Sequence, residues 1–124
     1  MAKKILIVED DQFIREMYAM ILTKEGFEVV EAPDGSAGLA NAKEGGYATI
    51  LLDLMMPQMD GLSFLKEMKK NPPKEENGPI IIMSNLAYSE AKDEGINLGA
   101  SDFFVKADLD PKELVEIVKR NIKE

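Results

Sequence analysis

Residues 50–61 have the sequence Ile50-Leu51-Leu52-Asp53-Leu54-Met55-Met56-Pro57-Gln58-Met59-Asp60-Gly61 and form the stretch that decides the fold. A short apolar run ends at a carboxylate, and a proline and an Asp-Gly pair follow it. This order predicts a buried strand that ends at Asp53 and then turns. A carboxylate at the end of a buried strand loses hydration and needs a charged or hydrogen-bonding partner. The rest of the chain must therefore supply partners for Asp53.

The composition is that of an ordinary globular protein, and it excludes several functional classes. Of 124 residues, 45% are hydrophobic and 31% are charged, which suits one domain. The absence of cysteine excludes thiolate sites and is compatible with a reducing cytosol. The absence of histidine excludes imidazole metal ligands, Ser-His triads and a phosphohistidine carrier. The net charge of -8 disfavours direct nucleic-acid binding, and no apolar run is long enough to span a membrane.

Five apolar runs alternate with five helical patterns along the chain. The predicted strands cover residues 5–8, 27–31, 47–53, 80–83 and 103–105. Helix starts are predicted at Asp11 or Gln12, Asp34, Asp60, Tyr88 and Asp110, and we interpret the aspartates as helix caps. Apolar strands that alternate with helices predict an α/β fold with a parallel sheet covered on both faces. Right-handed crossovers then bring the carboxyl ends of the strands to one edge, where such folds bind ligands.

Polar side chains follow four of the predicted strands at this edge. Glu9 and Asp10 follow the first strand, Asp53 ends the third, Ser84 follows the fourth and Lys106 follows the fifth. Oxygen ligands without nitrogen or sulfur suit Mg²⁺ or a similar hard cation. The lysine can offset the remaining negative charge or hold an anion such as a phosphoryl group. The sequence therefore predicts a cation site or a phosphoryl site at this edge.

Four segments resemble the receiver domain of bacterial two-component response regulators. They are residues 5–11, 53–61, 81–84 and 99–106, which follow the family's order, and the resemblance extends over essentially the whole chain. The resemblance implies a CheY-like, doubly wound (βα)5 fold with a five-stranded parallel sheet in the order 2-1-3-4-5. It also implies a single cytoplasmic receiver domain over residues 1–124 that is a monomer or a weak dimer.

The resemblance implies a role for the carboxylates at this edge. Asp53 would be the phosphoacceptor and would take a phosphoryl group from a sensor histidine kinase or a phosphotransfer protein. Asp10, Asp53 and the backbone carbonyl of Met55 would hold Mg²⁺, with Glu9 acting through water. The chain would catalyse only its own phosphorylation and dephosphorylation.

The resemblance also implies how the signal is read. Lys106 would pair with one phosphoryl oxygen, and Ser84 would hydrogen-bond to another. Phe103 would follow Ser84 inward, and this movement would repack the face formed by the fourth helix, the fifth strand and the fifth helix. An unknown output protein would bind to that face. The sequence departs from the family at Ala107, where a proline preceded by a cis peptide is usual, and at Asn85, where a small residue is usual.

Three other functions compete with this interpretation. A phosphatase of the haloacid dehalogenase type needs a second aspartate two residues after its nucleophile, and Met55 occupies that position. A flavin-binding module needs a Ser/Thr/Gly-rich loop after the first strand, where residues 9–11 are all acidic. The remaining alternative is a degenerate receiver that acts as a phosphorylation-independent protein-interaction module, which the presence of Asp53 and Lys106 disfavours.

Overall fold

The computed structural model describes residues 2–56, 59–85, 89–106 and 109–122. The strands are β1 (Lys4–Val8), β2 (Glu28–Ala32), β3 (Thr49–Asp53), β4 (Ile80–Ser84) and β5 (Asp102–Val105). The helices are α1 (Gln12–Lys24), α2 (Gly35–Glu44), α3 (Gly61–Lys70), α4 (Ser89–Asn97) and α5 (Pro111–Asn121). Within these ranges, no helix combines the length and apolar content that crossing a bilayer requires.

The five strands form one parallel sheet in the order β2-β1-β3-β4-β5, which confirms the predicted fold class and strand order. Val8 lies opposite Leu52 at the ends of β1 and β3, and Ser84 lies opposite Val105 at the ends of β4 and β5. These registers align the carboxyl ends of the four strands. The residues that end or follow these strands therefore meet at one edge of the sheet.

Both faces of the sheet are covered, which explains why the middle residues of its inner strands are all apolar. In β1, Ile5 and Ile7 pack in a cluster with residues of α1 and α5, whereas Leu6 and Val8 pack in a second cluster with residues of α2 and α3. All four side chains are fully buried. A strand covered on one face only would alternate between apolar and polar residues.

The predicted helix caps are present in the structure. The carboxylates of Asp11, Asp34, Asp60 and Asp110 each accept a hydrogen bond from the backbone N–H three residues further on, with distances between 2.8 and 3.1 Å. At α5 the Glu113 carboxylate also accepts from the N–H of Asp110, which completes a capping box. These bonds satisfy N–H groups that have no partner within the helix, so the four helix starts are well defined.

Two strands begin later than predicted, because the residues predicted to start them form backbone hydrogen bonds outside the sheet. The N–H of Phe27 donates to the carbonyl of Leu22 and so belongs to the end of α1, not to β2. The N–H of Tyr47 donates to the Asn77 side chain, and its carbonyl accepts from Gly78, which ties this residue to the loop before β4. Propensity alone does not distinguish these loop bonds from sheet bonds.

Helix α4 contacts the sheet through a glycine. Of residues 92–97, Gly95 alone is buried, and a β-carbon there would overlap the side chain of Ile82 in β4. The weak apolar pattern of this helix in the sequence therefore reflects close packing of its backbone on the sheet. The predicted start of the helix at Tyr88 lies outside the described residues.

Candidate functional site

The strand ends bring the predicted polar side chains to one edge of the sheet. Glu9 directly follows β1, Asp53 ends β3, Ser84 ends β4 and Lys106 directly follows β5. Glu9 is fully buried, and Asp53 and Ser84 are each only 2% exposed. Two buried carboxylates in one place are costly unless a cation accompanies them.

Lys106 supplies a cation to this site. Its Nζ lies 2.9 Å from Oε2 and 3.1 Å from Oε1 of Glu9, and 3.3 Å from Oδ2 of Asp53. The lysine side chain is only 6% exposed. The three side chains thus form one buried network in which two carboxylates share one ammonium, so a negative charge is left over when all three are ionised.

The buried network shifts the pKa values of its members. Burial raises the pKa of Glu9 from 4.5 to about 7, and the Asp53 carboxylate adds to this rise while Lys106 opposes it. Burial also raises the pKa of Asp53 against the opposing charge of Lys106. Burial lowers the pKa of Lys106, but Glu9 and Asp53 outweigh that effect and leave its pKa above the usual value. The carboxylates therefore favour a proton or a further cation.

The free energy of unfolding is expected to fall by roughly 2–3 kcal/mol between about pH 5 and about pH 7.5 when no divalent cation is present. Glu9 titrates near 4.5 when unfolded and near 7 when folded, so in this window the native state binds more protons. Each rise in pH then favours the unfolded chain. Urea denaturation in EDTA at several pH values measures the effect. Glu9→Gln should flatten this part of the profile, and a wild-type stability that rises across the window would contradict the assignment.

Three carboxylates at this edge have the composition and spacing of a divalent-cation site. One oxygen each from Glu9, Asp10 and Asp53 lies within 4.8 Å of the others. These donors are hard oxygens, which Mg²⁺ prefers, and the surplus negative charge of the network favours a cation. The N–H of Met55 donates to Oδ1 of Asp53 at 3.2 Å, which folds the start of the next loop over the carboxylate. The residues present therefore fit Mg²⁺.

A cleft of about 180 Å³ gives access to these groups from the solvent. Its lining consists of Glu9, Asp10, Asp11, Ile14, Asp53, Met55, Asn85 and Lys106. A wider depression of about 500 Å³ shares Asp10 and Met55 with this cleft. Met55 is 60% exposed and borders both spaces. A reactant that reaches Asp53 through this cleft therefore comes close to Met55.

The two predicted switch residues lie on neighbouring strands. Ser84 is buried at the end of β4, and Phe103 in β5 is half-buried against the apolar cluster that includes Ala100. Asn85 is exposed and lines the cleft. The peptide between Lys106 and Ala107 lies outside the described residues.

Sequence reasoning gave no role at the site to two further residues. Tyr18 is buried, and its pKa is raised to about 12 by burial and then by the charges of Glu9 and Asp53. The guanidinium of Arg15 donates to the backbone carbonyl of Glu9 at 2.9 Å and pairs with Glu31 at 3.3 Å. The helical pattern of α1 indicates that Tyr18 faces the core. The same pattern does not predict a role for Arg15, because the carbonyl and the carboxylate that it binds both lie outside α1.

Comparison with known proteins identifies the family. The model of the response regulator receiver domain matches residues 5–119. The transcriptional regulatory protein SrrA of Staphylococcus aureus (strain NCTC 8325 / PS 47) is 38% identical over 119 residues, a match that covers 96% of this chain and 47% of SrrA. The chain thus spans about half the length of the curated relatives it matches.

Solved structures show the same similarity. The chemotaxis protein CheY4 of Vibrio cholerae is 31% identical with a TM-score of 0.85, and the match covers 98% of this chain and 100% of that chain. The receiver domain of the sensor histidine kinase PA1611 from Pseudomonas aeruginosa PAO1 is 27% identical with a TM-score of 0.83, covers 98% of both chains and was solved with a magnesium ion coordinated in its active site cleft.

The fold and its acidic edge define a CheY-like α/β protein. The chain belongs to the response regulator receiver domain family of two-component systems.

Proposed function

We propose that Asp53 is the phosphoacceptor of this receiver domain and takes its phosphoryl group from a sensor histidine kinase or a phosphotransfer protein. The observation that carries the proposal is the burial of Asp53 beside Lys106 and the acidic pair Glu9 and Asp10, in the lining of a cleft. Carboxylates with pKa values shifted by burial in a cleft are typical of functional sites. The same network argues against a degenerate receiver.

The proposed reaction is a transfer between two side chains. A carboxylate oxygen of Asp53 attacks the phosphorus of a phosphohistidine, and the new P–O bond forms as the P–N bond breaks. The imidazole leaves with the bonding electron pair and takes up a proton. This sequence contains no histidine, so the donor histidine lies outside it.

Asp10, Asp53 and the backbone carbonyl of Met55 are the groups that we propose for holding Mg²⁺, with Glu9 acting through water. The ion, when bound, would neutralise negative charge on the phosphoryl oxygens. The compact oxygen cluster supports this assignment, as does the magnesium ion in the cleft of the PA1611 receiver domain.

Lys106 would change partners when Asp53 is phosphorylated. Its ammonium already lies 3.3 Å from Asp53, so a phosphoryl group attached there would come within its reach. A phosphoryl oxygen with more negative charge than a carboxylate would attract the ammonium more strongly. The hydroxyl of Ser84, at the end of the strand next to β3, would donate to a second phosphoryl oxygen.

This rearrangement would alter the surface formed by α4, β5 and α5, where an output protein would bind. Ser84 immediately precedes the segment that leads to α4, and Phe103 is half-buried on the side of the sheet that α4 covers. Phosphorylation would thus shift the population between two packings that differ by a few kcal/mol.

Incubation with acetyl phosphate and Mg²⁺, followed by intact-mass measurement, tests the proposed function. We expect a phosphate-sized mass gain that is lost when EDTA is added before the phosphodonor. Hydroxylamine should remove the gain, because it cleaves an acyl phosphate and not a serine phosphate ester. The absence of a mass gain with Mg²⁺, or a gain that survives hydroxylamine, would overturn the proposal.

A further inference from the structure

Asp10 differs from the other two carboxylates of the acidic cluster in how it is held. Glu9 and Asp53 are buried and bound to Lys106. The Asp10 side chain is exposed, and within the described part of the chain no hydrogen bond or ion pair holds it. Its position in the cluster therefore depends on the backbone between β1 and α1.

Arg15 holds this backbone from the first turn of α1. Its Nη1 donates to the carbonyl oxygen of Glu9 at 2.9 Å, and its Nε lies 3.3 Å from Oε1 of Glu31 in β2. The arginine side chain is only 14% exposed. The carbonyl that it binds belongs to the planar peptide that joins Glu9 to Asp10. The hydrogen bond therefore sets the direction in which Asp10 leaves that peptide.

We propose that Arg15 is a positioning residue that directs Asp10 toward the cation site. The inference rests on the proposed function, because it presupposes that the acidic cluster binds Mg²⁺. A planar guanidinium suits the task because its fork of donors serves the Glu9 carbonyl and the Glu31 carboxylate at once. Groups that orient metal ligands in this way typically change metal affinity by 10- to 100-fold when they are replaced.

A role in positioning and a role through charge alone predict opposite effects on Mg²⁺ binding. Arg15 is a cation near a cation site, so its charge by itself weakens metal binding, and its removal would lower the dissociation constant. If Arg15 positions Asp10, its removal raises that constant despite the lost repulsion. The sign of the change therefore separates the two roles.

The test is a titration of the wild-type protein and of Arg15→Met with MgCl₂, followed by the amide NMR signals of residues 9–11 and 53–55. Methionine keeps most of the length of the side chain and removes its donors and charge. We expect the dissociation constant for Mg²⁺ to rise about tenfold. An unchanged or lower constant in Arg15→Met overturns the proposal.

Glu31→Gln is the matched control, since it weakens the ion pair and leaves the hydrogen bond from Arg15 to the Glu9 carbonyl. Its Mg²⁺ dissociation constant should stay within about twofold of the wild-type value, given the small contribution of a partly exposed ion pair. An effect as large as that of Arg15→Met would assign the role to the ion pair and overturn the proposal.

Arg15→Lys decides the outcome if Arg15→Met does not fold. Lysine keeps the charge, but its single ammonium on a shorter side chain pairs with the Glu31 carboxylate and leaves the Glu9 carbonyl without its donor, so its constant should rise severalfold. A wild-type constant in folded Arg15→Lys overturns the inference. A wild-type protein that binds no Mg²⁺ overturns the proposed metal site as well, and that failure is visible before any variant is compared.

Discussion

Asp53→Asn is expected to abolish the phosphate gain and, in the same protein, to raise the free energy of unfolding at pH 7.5 by about 1–2 kcal/mol. The chemical effect is complete because an amide oxygen is a poor nucleophile toward phosphorus, so no acyl phosphate forms. The stabilisation has a separate cause. Asparagine has nearly the shape of aspartate and can still accept from the N–H of Met55. It leaves Lys106 and Glu9 as a neutral buried pair with no surplus negative charge.

Intact-mass measurement after acetyl phosphate treatment checks the first effect, and urea denaturation in EDTA checks the second. The stabilisation should shrink near pH 5, where Glu9, with its pKa of about 7, is already protonated in the wild-type protein. A variant that still gains phosphate would contradict the role of Asp53. A variant that is less stable than the wild type at pH 7.5 would contradict the excess-charge account.

Lys106→Met is expected to lower the free energy of unfolding by about 3–5 kcal/mol at neutral pH without divalent cations. The replacement removes the ammonium from a network in which Glu9 is fully buried and Asp53 is 2% exposed. Two facing carboxylates then lack a counter-ion. One of them must take up a proton, or the site must open to water, and either change costs free energy.

Lys119→Met provides a matched control on the surface of the same protein. Lys119 pairs with Glu25 at 3.3 Å, but the two side chains are 57% and 42% exposed, so its loss should cost less than about 1 kcal/mol. Asp53→Asn should also recover more stability in the Lys106→Met background than in the wild type, because the two sites are coupled. If urea denaturation shows that both lysine replacements lower the free energy of unfolding equally, the proposed stabilising role of Lys106 in the buried network is contradicted.

The fold was predictable because the amino-acid composition of the inner strands reflects their burial on both faces. The fully buried run from Ile5 to Val8 is apolar on both faces, which is typical of a parallel sheet between two layers of helices. The helix starts at Asp34 and Asp110 were predictable for a local reason, since a cap and its partner are only three residues apart. Strand starts were less predictable, because loop bonds such as that from Tyr47 to Asn77 join distant residues.

The membership of the candidate site was also predictable, but the contacts within it were not. Each polar residue follows or ends a strand, so the topology alone brings Glu9, Asp53 and Lys106 to one edge. Nothing in the sequence indicates that the lysine binds Glu9 more closely than Asp53, because side-chain packing decides that choice. The hydrogen bond from Arg15 to Glu9 was not predictable for a similar reason, since it ends on a backbone carbonyl and not on a side chain.

The pair of Glu9 and Lys106 also has a consequence for folding. The two residues are 97 positions apart in the chain, and β3 and β4 lie between their strands in the sheet. Contacts of such high sequence separation slow folding, because the loop-closure entropy must be lost before the contact forms. Until β5 docks, an incomplete sheet holds Glu9 and Asp53 without their ammonium. The receiver is therefore expected to be competent for phosphorylation only when β5 is docked, so a chain in which this edge strand has come away from the sheet would not accept the signal.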